Sequence, residues 1–126
     1  MTKSDRKKRQ PLIYSCSGCS NVAQLANDMA LQANADGLAE MSCIAGIGGK
    51  VKALVKKAQS NRPIIAIDGC VLQCAKHCLN GVNIEPTEHI ILTDYDFKKK
   101  NDSTLHLEDE MKTYNLIAEK IKNITP

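Results

Sequence analysis

Apolar and polar positions fall into short alternating blocks along the chain. Pro11-Leu12-Ile13-Tyr14-Ser15 is an apolar run ending at a glycine-containing turn, which predicts a first strand. Ser20 suits an N-cap, and Val22, Leu25, Ala26, Met29, Ala30 and Ala33 then recur at helical spacing. Asp36-Gly37 closes that helix. Residues 38–44 predict a second strand, interrupted by Glu40 and Ser42. Residues 45–49 (AGIGG) read as a loop, and Val51, Leu54, Val55 and Ala58 mark a second helix. Residues 63–67 (PIIAI) are β-branched and apolar, as a strand buried on both faces should be. Asp68-Gly69 leads into a third helix that runs to about Asn80. Residues 89–93 (HIILT) predict a fourth strand. After a polar connection over 94–104, Leu107, Met111, Tyr114, Ile117 and Ile121 line one face of a final helix.

Strand and helix alternate four times. That pattern predicts an α/β fold: one three-layer domain over residues 11–126, a mostly parallel four-stranded sheet with helices on both faces. Right-handed crossovers leave few topologies. The expected strand order is 2-1-3-4, Rossmann-like or flavodoxin-like. In such sheets ligands bind beyond the carboxyl ends of the strands, where the order reverses. Here that point lies between strands one and three.

Composition narrows the function classes. The chain has 126 residues, with one Phe and no Trp, so the core must be aliphatic. A chain of this size buries roughly two thirds of its unfolded surface and needs no staples. No apolar run approaches the ~20 residues of a membrane span. The opening MTKSDRKKRQ has no apolar stretch behind its basic residues, so it does not read as a secretory signal, and a cytoplasmic protein is expected. Lys3, Arg6, Lys7, Lys8 and Arg9 stand against Asp5 alone, so this segment carries +4 and the rest of the chain −1, for the formal net charge of +3. Residues 1–10 are expected to be a disordered, solvated basic tail. Nucleic-acid binders carry their basic patch on the fold, so nucleic acid is not an expected partner.

The six cysteines then carry the chemistry. A reducing compartment favours metal binding or thiol reactivity over a disulfide framework. Cys16 and Cys19 follow strand one, and Cys43 ends strand two. Cys70 follows strand three, with Cys74 and Cys78 in the helix after it. Every cysteine is thus at or beyond the carboxyl end of a parallel strand. In a regular helix, Cys70, Cys74 and Cys78 would share a face but span about 12 Å along the axis. Tetrahedral zinc holds its sulfurs about 3.8 Å apart, so one ion cannot take both Cys70 and Cys78. Cys70 and Cys74 can share an ion; Cys78 is core filler or a resolving thiol. Cys19 and Cys70 are expected near helix N-termini, where thiolate is favoured.

Cys16-x-x-Cys19 suits both zinc sites and redox proteins. The x₃ spacing of Cys70, Cys74 and Cys78 matches neither a standard zinc pattern nor the common iron–sulfur runs, which sets an iron–sulfur cluster low. His77 stands at a ligand offset from Cys74 but on a face expected to be surface. His89 and His106 are expected to be surface residues at a strand start and a helix start. Residues 45–50 (AGIGGK) have the glycines of a phosphate cradle, but Val51 stands where Ser or Thr completes that pattern. A tight turn, or close backbone approach to a metal site, is the favoured reading. Asp68 is expected to cap the third helix or to orient a ligand from behind.

The ordered motifs YSCSGCSN, CIAGIG and AIDGC, with a further cysteine four residues on, resemble the DGC-domain family, a small prokaryotic family described as zinc-binding. The resemblance covers about residues 12–95. It implies a cytosolic metal-binding domain with chelating cysteines at Cys16, Cys43, Cys70 and Cys74, with Cys19 and Cys78 as extras. Family members often have Pro after the DGC, where this chain has Val71. Two functions follow as expectations. One is a zinc protein for metal storage, delivery or sensing, its four thiolates drawn from Cys16, Cys19, Cys43, Cys70 and Cys74, with a metal ion and an unidentified protein as partners. The other is a redox or sulfur/selenium-transfer protein with Cys70 as nucleophile and Cys74 or Cys19 resolving it. No defined reaction can be read from the residues.

Overall fold

The computed structural model describes residues 10–95, 97–99 and 107–126. The basic tail over residues 1–9, His106 and most of the polar connection before the last helix lie outside the described residues. β1 (Leu12–Ser15) leads into α1 (Asn21–Ala35), and β2 (Glu40–Met41) into α2 (Ile44–Gly48) and α3 (Lys52–Ala58). β3 (Ile64–Asp68) leads into α4 (Cys74–Asn80). β4 (Glu88–Ile91) passes into a 3₁₀ turn (Leu92–Tyr95), and α5 (Leu107–Ile124) closes the chain. The sheet order is β2-β1-β3-β4 and every pairing is parallel, as expected.

Alternation along the strands divides the core in two. Ile13, Ile65 and Ile67 face α1 and α5, packing on Leu25, Met29, Ile117 and Ile121. Leu12, Tyr14, Ile64 and Ala66 face α2, α3 and α4, packing on Ile47, Ala58, Ala75 and Leu79. This is the three-layer arrangement in which a parallel sheet is covered on both sides. β1 and β3 are buried throughout. The edge strand β2 is pinned from outside: Glu40 meets both Lys57 and Arg62.

Four local expectations are corrected. The second strand is only two residues long, because Cys43 turns the chain and Ile44 is already helical. The glycine-rich stretch expected as a loop is mostly α2, a short helix in which Gly46 and Ile47 are buried. The third helix begins at Cys74 and not after Gly69. Gln73 precedes it in the left-handed region (φ 54°), where an L-residue cannot continue a right-handed helix inward. Finally, Met111 on α5 is exposed, while Thr113 joins Ile117 and Ile121 on the buried side.

Candidate functional site: a thiol crest at the β1–β3 crevice

The switch point between β1 and β3 is built by two connections. After β1, residues 16–20 turn into α1. Ser20 caps that helix by accepting the Ala23 N–H at 3.2 Å. After β3, Gly69 brings the chain against the start of α1. A Cβ at residue 69 would lie 2.7 Å from the Val22 carbonyl carbon and 2.8 Å from the Ala23 nitrogen. Both are backbone atoms that cannot swing aside, so the Asp-Gly-Cys glycine serves close approach. It draws Cys70 toward the end of β1.

Cys16 is buried at this meeting, and its Sγ accepts the Gly69 N–H at 3.1 Å. Burial pushes its thiol up to about 11 against that hydrogen bond, and the nearby Asp68, Cys74 and Cys70 push the same way. Cys70, Cys74 and Asp68 are therefore near enough to Cys16 to act on it electrostatically. Cys70 is half-buried, and Cys74 is exposed at the first position of α4. Because the helix starts at Cys74, the expected placing of Cys70 at a helix N-terminus is overturned, as is its shared helical face with Cys74 and Cys78. Only Cys74 and Cys78 lie on α4. Cys78 is half-buried and packs on the second core cluster; its Sγ would stand 3.2 Å from a Cβ at Gly48. Burial raises its pKa too, with Cys74 and Asp68 adding.

The remaining two thiols flank this group. Cys19 is exposed, two residues before α1. Cys43 is exposed, caps α2, and accepts the Gly46 N–H at 3.4 Å through Sγ. Among the described residues, no three His, Cys, Asp or Glu side chains already converge at metal-holding spacing. Nor is the crest a deep pocket. A cleft of about 370 Å³ lies elsewhere, between α1 and α5 beside Met29 and Tyr114, and no cysteine lines it.

Asp68 holds the second connection together. Its side chain is 1% exposed and accepts the Ala75 N–H at 2.7 Å and the Lys76 N–H at 3.2 Å. It thus caps α4 across seven residues of sequence. His89 lies 2.7 Å from the same carboxylate through Nε2 and is 17% exposed. The expectation of a surface His89 is corrected. Ala66 pairs with His89 in register, and Asp68 lies two residues on along the same face, so the two side chains meet diagonally. A histidine early in the strand beside an Asp-ended neighbour was the signal available. His77, by contrast, is exposed on α4.

Between Cys70 and Cys74 the turn shows Val71 (72% exposed) and Leu72 (60%) to solvent. The turn between these two cysteines therefore presents apolar surface. No described helix is long and apolar enough to cross a membrane.

The fold and the cysteine positions define a class: a parallel α/β protein with cysteines in the segments that follow β1, β2 and β3. The DGC-domain profile matches residues 12–117, and the chain belongs to that family. The match runs past residue 95 and takes in much of α5. The chain is also similar to the anaerobic and virulence modulator AnvM of Pseudomonas aeruginosa, at 49% identity over 116 residues, covering 92% of this chain and 86% of that protein. No solved structure matches.

Proposed function

We propose that this chain is a cytoplasmic regulatory protein whose cysteine crest binds a thiophilic metal ion, zinc first, in order to sense or deliver it. One observation carries the reading. Cys16 accepts a backbone N–H from the DGC glycine, with Cys70 and Cys74 beside it. Burial outweighs this hydrogen bond and raises the Cys16 pKa to about 11, so a metal ion would have to displace the Cys16 proton, while the Gly69 N–H would stabilise the resulting thiolate.

The donor set suits zinc, which takes four thiolates in structural sites. Cys16, Cys70 and Cys74 would hold the ion, with Cys19 or Cys43 as the fourth ligand. Three donors do not converge among the described residues, so binding would require these side chains to move together. Bound zinc supplies a redox-inert anchor for the thiolates. Asp68 fixes the start of α4, so that Cys74 stays beside Cys16, and Gly69 holds Cys70 at the crevice. A core of this size needs no structural ion, which favours a sensing, delivery or storage role. The relative's name, a modulator, agrees with a regulatory one.

The test is metal content, measured on protein purified without oxygen or a metal-binding tag, alongside a count of alkylatable thiols. About one zinc per chain with roughly four shielded cysteines is expected. Iron with visible absorption would replace zinc by an iron–sulfur cluster. No metal and six reactive thiols would contradict the proposal.

That last outcome would favour a second reading, a thiol redox or sulfur/selenium-transfer protein. Its support is the unconverged donors together with the word "anaerobic" in the relative's name. Half-buried Cys70 would be the nucleophile, and exposed Cys74 or Cys19 the resolving thiol.

A further inference from the structure

A separate cleft lies at the opposite end of α4 from Cys74. We propose that the cleft between the start of α3 and the turn after α4 binds a small-molecule polyphosphate. The cleft is about 330 Å³, with Lys50, Lys52 and Lys56 on one wall and Gly81 and Asn83 on the other. That volume is at the lower end of small-ligand pockets, roughly 300–1,000 Å³. It suits a phosphate chain better than a bulky apolar ligand.

Charge argues for the ligand class. No Asp or Glu is among the residues lining the cleft. The neighbouring Lys57 and Lys76 are paired with Glu40 and Glu85, whereas Lys50, Lys52 and Lys56 have no carboxylate partner among the described residues. Lys52 and Lys56 stand four apart on one helix face, an arrangement of like charges that disfavours the free helix. An anion between them relieves that repulsion. Lys50 adds a third positive charge from a left-handed backbone position (φ 56°), directly after Gly48-Gly49. Glycine is the residue that position prefers. A lysine there costs backbone strain and places a cation at the cleft.

The walls also dictate how a ligand would be recognised. The N–H groups of Lys50, Gly81 and Asn83 are already donated to Ile47, His77 and Asn80 carbonyls. These three N–H groups are therefore not free to wrap a phosphate. Recognition falls to the ammonium groups, which bind phosphate as point charges. The site therefore counts negative charge. It differs from the glycine-rich cradle suggested by AGIGGK, in which backbone amides do the binding.

Isothermal titration of the reduced, metal-free full chain with inorganic phosphate, pyrophosphate and tripolyphosphate tests this. At about 0.1 M salt, where charges separated by more than ~10 Å are screened, affinity should rise with each added phosphate. Lys50→Gln and Lys56→Gln should each weaken tripolyphosphate about fivefold, the Coulomb energy of one close pair in water. Lys112→Gln, on exposed α5, should leave it unchanged. These surface changes leave the core intact, and circular dichroism checks that. Absence of binding, or equal weakening by all three variants, would overturn the proposal. Adenosine triphosphate binding no tighter than tripolyphosphate would confirm that the phosphate chain alone is read. Tighter binding that survives Lys50→Gln and Lys56→Gln would overturn it.

Discussion

The two connections that frame the crest solve the same problem in different ways. Both follow a buried parallel strand, both carry cysteines, and both end at a helix. After β1, five residues (16–20) precede α1, which is capped locally by Ser20. Fifteen residues of helix with eight buried side chains then hold it in place. After β3, a turn of five residues precedes a helix of only seven. That helix has no local cap, and its start hangs on Asp68 from the end of the strand. Short helices draw little stability from their own hydrogen bonds. The first connection is thus a platform. The second is a hinged segment held by one buried carboxylate, and it is the one that carries Cys70 and Cys74.

Breaking that carboxylate should have the largest effect. Asp68→Ala would leave the buried Ala75 and Lys76 N–H groups and the His89 ring without their acceptor, at a cost of about 3 kcal/mol. Urea denaturation measures the loss, and Cys74 should alkylate faster in the surviving folded protein. Next comes Gly69→Ala. The added carbon meets backbone at 2.7 Å, so the turn must lift from α1, at about 2 kcal/mol. The Cys16 sulfur would also lose its N–H donor, which thiol titration by ultraviolet absorbance would register as a change at that residue. On the platform side, Ser20→Ala should cost only about 1 kcal/mol, read as a shift in thermal midpoint, with alkylation of Cys70 and Cys74 unchanged. The smallest effect should come from Gln73→Gly. It relieves a left-handed residue and should be neutral or stabilising by about 0.5 kcal/mol in the same urea assay. If Ser20→Ala proved as damaging as Asp68→Ala, the contrast between platform and hinge would fail.

The same contrast explains what could be read from the chain. Strand order, parallel pairing and the extent of α1 were legible because each rests on local pattern: apolar runs of strand length, and a Ser cap three residues before its partner. The positions of Cys16, Cys43 and Cys70 just after the ends of β1, β2 and β3 followed from the same pattern. The start of α4 was not legible. Its cap is seven residues away, and Gln73 gives no hint in sequence of a left-handed conformation. Reading the helix too early put Cys70 on it, whereas the helix starts at Cys74 and its first N–H groups are taken by Asp68. His89 was missed for a related reason, since its role depends on register with β3. The glycines of residues 46–49 suggested a loop, but Gly46 sits under Leu54 and Gly48 beside Cys78, where small size rather than flexibility is required.

The central claim is that Cys16, Cys70 and Cys74 act as one metal-binding unit. Site-resolved alkylation by mass spectrometry, on reduced protein with and without about one equivalent of zinc, tests it most directly. The prediction is that zinc shields these three together with Cys19 or Cys43, while Cys78 keeps its own slow rate, and that a chelator restores all of them. An alkylation pattern identical with and without zinc, or shielding that omits Cys16, would contradict the account.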